Sequence, residues 1–144
     1  MIRVRPARGE AELAAALELR RDVFVVEQGV PLEEEYDEAD RHALHLVAVE
    51  GERVVATCRL VTAGDTVKVG RVAVAAAARR RGIASSLLAE AEARARDLGA
   101  RRIALAAQTG ALALYERAGY AAYGERFVDA GIDHLMMEKL VRET

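Results

Sequence analysis

Cysteine is almost missing from this chain. Cys58 stands alone among 144 residues, so no internal disulfide can form. It lies in a strand-like apolar run, where a free cysteine reads as core rather than nucleophile. Long hydrophobic stretches are missing too: no apolar run approaches the roughly 20 residues that cross a bilayer. The N-terminus, Met1-Ile2-Arg3-Val4-Arg5, lacks the extended apolar segment of a secretory signal. The expectation is a cytoplasmic protein with no membrane partner. There is little excess of either charge. The net charge is −2, which argues against a nucleic-acid binder by bulk electrostatics. Internal repeats, low-complexity linkers and a break between domains are also lacking, so a single domain is expected over residues 1–144.

Apolar residues are plentiful. They make up 52% of the chain, enough to fill a core, and this excludes intrinsic disorder. Ile2 to Arg5 alternates as a strand. After Pro6 and Gly9, the spacing of Leu13, Ala16, Leu17, Arg20 and Phe24 predicts a helix running to about Val26. Gly29 and Pro31 break it. From Leu44 the period becomes two. The runs Leu44–Val49, Arg53–Val61 and Thr66–Val74 predict an antiparallel meander with tight turns at Gly51 and Gly64. Gly70 falls inside the third of these strands and marks a bulge or a close backbone approach. Ile83, Leu87, Leu88, Ala91, Ala95 and Leu98 then predict a long helix ended by Gly99. Arg102 to Ala106 is a short strand, so strand, helix and strand imply a parallel crossover. A second helix follows with Thr109 as N-cap and Gly119 as terminator. Strands from Tyr120 and from His134 close the chain, joined by a turn at Asp129-Ala130-Gly131.

The turn before the long helix carries the clearest chemistry. Arg79-Arg80-Arg81-Gly82-Ile83-Ala84-Ser85 joins a strand to a helix start. A helix start offers unpaired N–H groups and partial positive charge. Gly82 has no side chain to block an oxyanion, and the three arginines supply forked donors. The combination suits phosphate; the plain alternative is a surface turn that happens to be basic. A P-loop is excluded because no Lys-Ser or Lys-Thr follows Gly82, and a dinucleotide fingerprint because its other two glycines are missing.

Arg79-x-x-Gly82-x-Ala84 after Val72-Ala73-Val74 resembles the pyrophosphate-binding motif of the GCN5-related N-acetyltransferases (GNAT). Gln108-x-x-Ala111-x-x-x-Tyr115-x-x-x-Gly119-Tyr120 is similar to the second signature of that superfamily, which usually begins with Asn. Arg20-x-x-Val23-Phe24-Val25-x-Glu27-Gln28, the later Glu35-x-Asp37-x-x-Asp40-x-x-Ala43-x-His45, and Gly131-Ile132-x-His134 resemble its ElaA-like branch. The resemblance covers nearly the whole chain. It implies an α/β (α+β) fold: a mixed central sheet with antiparallel N-terminal strands, a splayed parallel pair, and helices on both faces.

The resemblance further implies an acetyl-CoA-dependent N-acetyltransferase. An acetyl group would pass to a primary amine of a small molecule or protein by direct attack on the thioester. An acyl-CoA-binding module without turnover is the alternative. Val72, Ala73, Val74, Arg79, Arg80, Arg81, Gly82, Ile83, Ala84, Ser85 and Gln108 would hold the coenzyme. An exposed strand N–H near Val74 would polarise the thioester oxygen, and Tyr115 would protonate the departing thiolate. No metal is implied, and monomer and homodimer both stay open.

Many relatives carry a Glu on the strand before the second signature, and here that strand offers no acid or base. The base would come from Glu27, Asp37, His45 or His134, with Glu27 and His45 placed among the catalytic candidates, or an already neutral amine would be bound. Arg59 and Arg71 sit inside strands. Each needs a partner, either an acid such as Glu27 or a substrate carboxylate. The run Glu33-Glu34-Glu35-Tyr36-Asp37-Glu38-Ala39-Asp40 has no clear period. It reads as a solvated loop or poorly formed helical turn, or as an acidic lip favouring a cationic amine acceptor.

Overall fold

The computed structural model describes residues 1–142. The period-two runs of the first half fold as β1 (Ile2–Pro6), β2 (Leu44–Glu50), β3 (Arg53–Ala63) and β4 (Thr66–Val74). These pair antiparallel in sequence order. The second half adds β5 (Arg102–Gln108), β6 (Ala121–Asp129) and β7 (Ile132–Leu140). All seven strands form one sheet in the order β1-β2-β3-β4-β5-β7-β6. β4 and β5 are parallel, as the crossover between them requires.

That parallel pairing lasts only from Thr66 to Lys68, against Arg102 to Ala104. Beyond it the strands part. On β3, Thr57 faces Ala73 while Arg59 faces Gly70, so β4 carries one extra residue and bulges. A bulge bends its strand. Gly70 flagged this position, but the left-handed residue is its neighbour Arg71, at φ 53°. A non-glycine residue there is uncommon and stores strain.

The helices cover both faces. α1 (Gly9–Arg20) continues into a π-helical turn, Arg21–Glu27, so the expected helix to about Val26 exists with its last turns widened. Ala16 packs on Val47 and Val49, and Leu19 and Val23 pack on Ala73. The long helix is α3 (Ile83–Asp97), after the short α2 (Leu32–Glu35). On the opposite face from α1, α3 buries Ile83, Leu87, Leu88, Ala91 and Ala95 against Leu46, Leu60, Val67, Ile103 and Leu105. A fully buried leucine such as Leu87 contributes about 2 kcal/mol. Truncation to alanine there costs more, roughly 2–5 kcal/mol, because a cavity remains.

One local expectation needs correction. Thr109 does not cap the last helix. Thr109–Ala111 forms a 3-10 turn, and α4 (Leu112–Arg117) starts without a side-chain cap. Of the two readings of the acidic run, loop or helical turn, the helical one holds: α2 and a 3-10 turn, Glu38–Arg41, take up most of it. Asp37 caps the 3-10 turn, accepting from Ala39 N, while Asp40 accepts from Asp37 N. No helix among the described residues is long and apolar enough to cross a membrane.

Candidate active site

The parting of β4 and β5 opens a cleft of about 830 Å³. Val69 to Val74 line one side, and Leu105, Ala106 and Gln108 the other. Side chains alternate along β5: Ile103, Leu105 and Ala107 join the core under α3. Ala104, Ala106 and Gln108 therefore face the α1 side. Backbone groups alternate likewise. The N–H of Ala75 bonds the carbonyl of Val55 on β3 at 2.8 Å, so the N–H and C=O of Val74 turn toward the gap. That carbonyl accepts from Arg79 Nε at 3.1 Å. The N–H of Val74 faces a gap in which β5 has moved out of pairing range.

A second hollow, about 240 Å³, adjoins the cleft at the start of α3. Val74, Arg79 and Ala84 line both spaces. Arg80, Gly82, Ile83 and Ser85 line the hollow alone. Arg80 and Gly82 both take left-handed φ, 65° and 75°, which turns the chain sharply into the helix. Arg81 stands apart. It is swung away to Glu50, with bonds of 3.1 and 2.5 Å. Arg117, exposed on α4, lines the hollow and was not singled out from the sequence. Its spacing of three from Leu114, another lining residue, was the available signal.

Tyr115 lines the cleft from α4 and is 8% exposed. Its ring meets Tyr120 edge-on, with centroids 6.3 Å apart. Burial, with a smaller contribution from nearby Cys58, pushes its hydroxyl up to about 12. Tyr115 is therefore a phenol at neutral pH, able to give a proton rather than take one.

Glu27 also lines the cleft, but it is bound by both guanidinium nitrogens of Arg79, at 2.7 and 2.9 Å. That bond holds the Glu27 carboxyl below its usual range, which weakens it as a base. The next residue, Gln28, accepts from Gln108 Nε2 at the end of β5. His45 lies outside the cleft. It stands opposite Arg59 in the β2–β3 ladder, and its Nε2 donates to the carbonyl of Asp40 at 3.0 Å. This is a bracing bond to the backbone; what removes His45 as a base is its place outside the cleft.

Arg59 and Arg71 pair with the acidic run and not with Glu27. Arg20, 1% exposed, donates to Glu35 and Asp40. Arg59 grips Asp37 with both Nη atoms and touches Asp40 at 3.0 Å. Arg71 donates to the carbonyls of Glu34 and Glu35 and to Asp37. Three arginines thus balance three carboxylates beneath the cleft wall. Burial would raise the Asp40 carboxyl, but the bonds from Arg20, the Asp37 N–H and Arg59 outweigh it and hold it below its usual range. Glu33, Glu34 and Glu38 remain outside this balanced set. Glu33 and Glu34 line the cleft, and Glu38 has only an exposed contact with Arg41 at 3.6 Å. His134, from β7, also lines the cleft; its ring stacks on Phe127 with centroids 5.6 Å apart.

Known proteins resemble this chain in sequence and fold. The family description "Acetyltransferase (GNAT) domain" matches residues 10–141. The N-acetyltransferase YjcF of Bacillus subtilis, itself called uncharacterized, is 38% identical over 92% of this chain and 96% of its own. An acyl-CoA N-acyltransferase from Pseudomonas aeruginosa superposes with a TM-score of 0.83 at 31% identity, covering 96% of this chain and 98% of the other. ElaA of Escherichia coli superposes with a TM-score of 0.86 at 26% identity, covering 99% and 100%.

Proposed function

The chain belongs to the acetyltransferase (GNAT) family, and from that premise we propose that it transfers the acetyl group of acetyl-CoA to a primary amine by direct attack on the thioester. One observation carries this reading. The gap between β4 and β5 joins a basic helix-start hollow at one end to a buried phenol inside. The hollow fits a pyrophosphate. Arg79, Arg80 and Arg117 surround it, and Gly82 adds no side chain to its floor. The gap fits an extended pantetheine arm, which would take up strand edges left unpaired around Val72 and Val74. The N–H of Val74 then serves the developing oxyanion. Tyr115 supplies the proton that the departing sulfur needs.

The acceptor enters from the α1 side, past Glu33 and Glu34. Their charge favours a cationic amine over an anionic one. The amine belongs to a small molecule or an exposed protein terminus or lysine. The absence of an acid or base on β5 keeps a non-catalytic acyl-CoA-binding module as the competing reading. Thiol release from acetyl-CoA, followed across a panel of primary amines, tests the two. Amine-dependent release supports transfer. Coenzyme binding with no release for any amine would leave only the binding module.

A further inference from the structure

An alkylammonium must lose a proton before its nitrogen can attack, and Ala104, Ala106 and Gln108, which β5 presents to the acceptor side, include no base. We propose that His134, on the neighbouring strand β7, takes that proton at Nε2. This inference rests on the acetyl transfer proposed above.

The sheet register places the residue. His134 stands opposite Gln108 on β5 and opposite Phe127 on β6. Directly opposed residues share a face of the sheet, so His134 lies on the same side as Ala104, Ala106 and Gln108. This is the α1 side, because Gln108 bonds Gln28 there. The small alanines leave room beside the ring. Tyr115 belongs to the core on the α3 side and reaches the same cleft through the gap. The two proton-handling groups thus stand on opposite faces of the sheet, with the gap between them.

The hydrogen bonding of the ring fixes which nitrogen works. Nδ1 lies 2.7 Å from the carbonyl of Ile132. A carbonyl only accepts, so Nδ1 carries the hydrogen and the lone pair of the neutral ring is at Nε2. The same bond survives when Nε2 is protonated, so the ring need not turn during the cycle. Stacking on Phe127 at an interplanar angle of 22° holds its plane.

Charged groups from several elements line the same cleft as the ring. Asp129 comes from the end of β6, and Glu33, Glu34, Glu35 and Asp37 from α2 and the turn after it. Arg71 comes from β4, Glu27 from the π-helical turn, and Arg79 from the turn before α3. Glu27, Glu35 and Asp37 are held by arginines. Glu33, Glu34 and Asp129 have no ion pair among the described residues, and they draw an ammonium toward the ring.

The steps balance. Nε2 accepts one proton from the ammonium. The freed nitrogen pair attacks the thioester carbon, an N–C bond forms, and the carbonyl π pair moves to oxygen. When that pair returns, the C–S bond breaks and Tyr115 gives its proton to sulfur. The phenolate regains a proton from the new amide nitrogen, and His134 releases its own to solvent. One ammonium and one thioester give one amide, one thiol and one proton.

The test compares two acceptors, a simple alkylammonium and an alkoxyamine that is already neutral at assay pH. In His134→Gln, kcat/KM for the alkylammonium should fall roughly 10²-fold or more. The alkoxyamine should keep a rate within a few-fold of the parent. His134→Ala should regain alkylammonium activity with added imidazole. Unchanged stabilisation by acetyl-CoA shows that both variants fold and bind. Equal losses with both acceptors would overturn the proposal and leave a ring that only shapes the cleft. A parent-like alkylammonium rate in either variant would overturn it as well. If the parent itself releases no thiol with any amine, acetyl transfer fails and the base falls with it.

Discussion

Gln108 donates to Gln28 across the mouth of the cleft, a 2.8 Å bond between residues 80 apart in sequence. Beside it, Glu27 holds Arg79. Glu27, the last residue of the π-helical turn, and Gln28, the next, therefore reach the turn that follows β4 and the end of β5. This clasp lies over the space that the proposed binding mode gives to the coenzyme.

On the proposed binding mode, Arg79 exchanges Glu27 for phosphate when the coenzyme enters. Glu27→Gln keeps the size and removes the competing charge. Exposed ion pairs contribute little, so coenzyme affinity should rise only about 2- to 5-fold at low salt. Titration calorimetry with coenzyme A measures this. Weaker binding in the variant would mean that Glu27 belongs to the loaded site.

Gly82 separates charge from backbone strain. Acetyl-CoA should raise the melting temperature of the parent, because it binds only the folded state. Gly82 has φ 75°, a conformation that asparagine tolerates better than most residues. Gly82→Asn should keep most of the shift, whereas Gly82→Asp should lose it. Equal shifts in the two variants would remove this turn from phosphate binding.

Tyr115→Phe removes a proton donor and almost no volume. Coenzyme binding should stay within a few-fold of the parent, and turnover should drop roughly 10²-fold. Because burial pushes the phenol up to about 12, activity in the parent should show no loss from its ionisation below pH 10. Parent-like turnover in Tyr115→Phe would make this residue packing alone.

The parts of the site set by local spacing were legible in the sequence. Period-two runs mark the strands, and Val72-Ala73-Val74 with Arg79-x-x-Gly82-x-Ala84 marks the strand end and the hollow. Gly70 signalled the bulge, but the left-handed residue is Arg71, whose guanidinium bonds to Glu34 and Glu35 hold it there. The long-range pairings were not legible. No local pattern says that Arg81 turns to Glu50, that Glu27 chooses Arg79 over Arg59 or Arg71, or that Arg20 meets Glu35 and Asp40. The widened turn at Arg21–Glu27 was hidden for a related reason. An apolar stripe at helical spacing does not distinguish α from π winding over two turns.

The same pairings change what the acidic run can do. Glu35, Asp37 and Asp40 are balanced by arginine, so the steering charge is Glu33, Glu34 and Glu38. Converting these three to glutamine should raise the KM for a cationic acceptor at low salt, with coenzyme binding nearly unchanged. The difference should fade at high salt, where exposed charges are screened within a few ångströms. KM measured against salt for parent and triple variant decides it. Identical low-salt values would leave the run purely structural.

Acid stability follows from Asp37 and Asp40. Both are held below their ordinary value of 3.8 in the folded protein. A depressed carboxyl stabilises the fold above its unfolded pKa, and that stabilisation is lost as pH falls toward the folded value. Stability should therefore decline below about pH 4. Asp40→Asn removes one of the two carboxylates that hold Arg20, leaving Glu35, and weakens the hold on Arg59, which should cost roughly 1.5–3 kcal/mol at neutral pH. The acid slope should become shallower. Urea melts at pH 3, 5 and 7 check both statements, and a neutral-pH loss near zero would contradict the network's role.

Cys58 is 1% exposed, and burial pushes its thiol up to about 12. A sulfur so enclosed and so firmly protonated is a poor nucleophile toward disulfide dyes. Colour from such a dye in a turnover assay will therefore report free coenzyme A rather than the enzyme. The slow labelling that does occur measures how often the sheet opens, so one silent residue serves as a built-in clock for unfolding under native conditions.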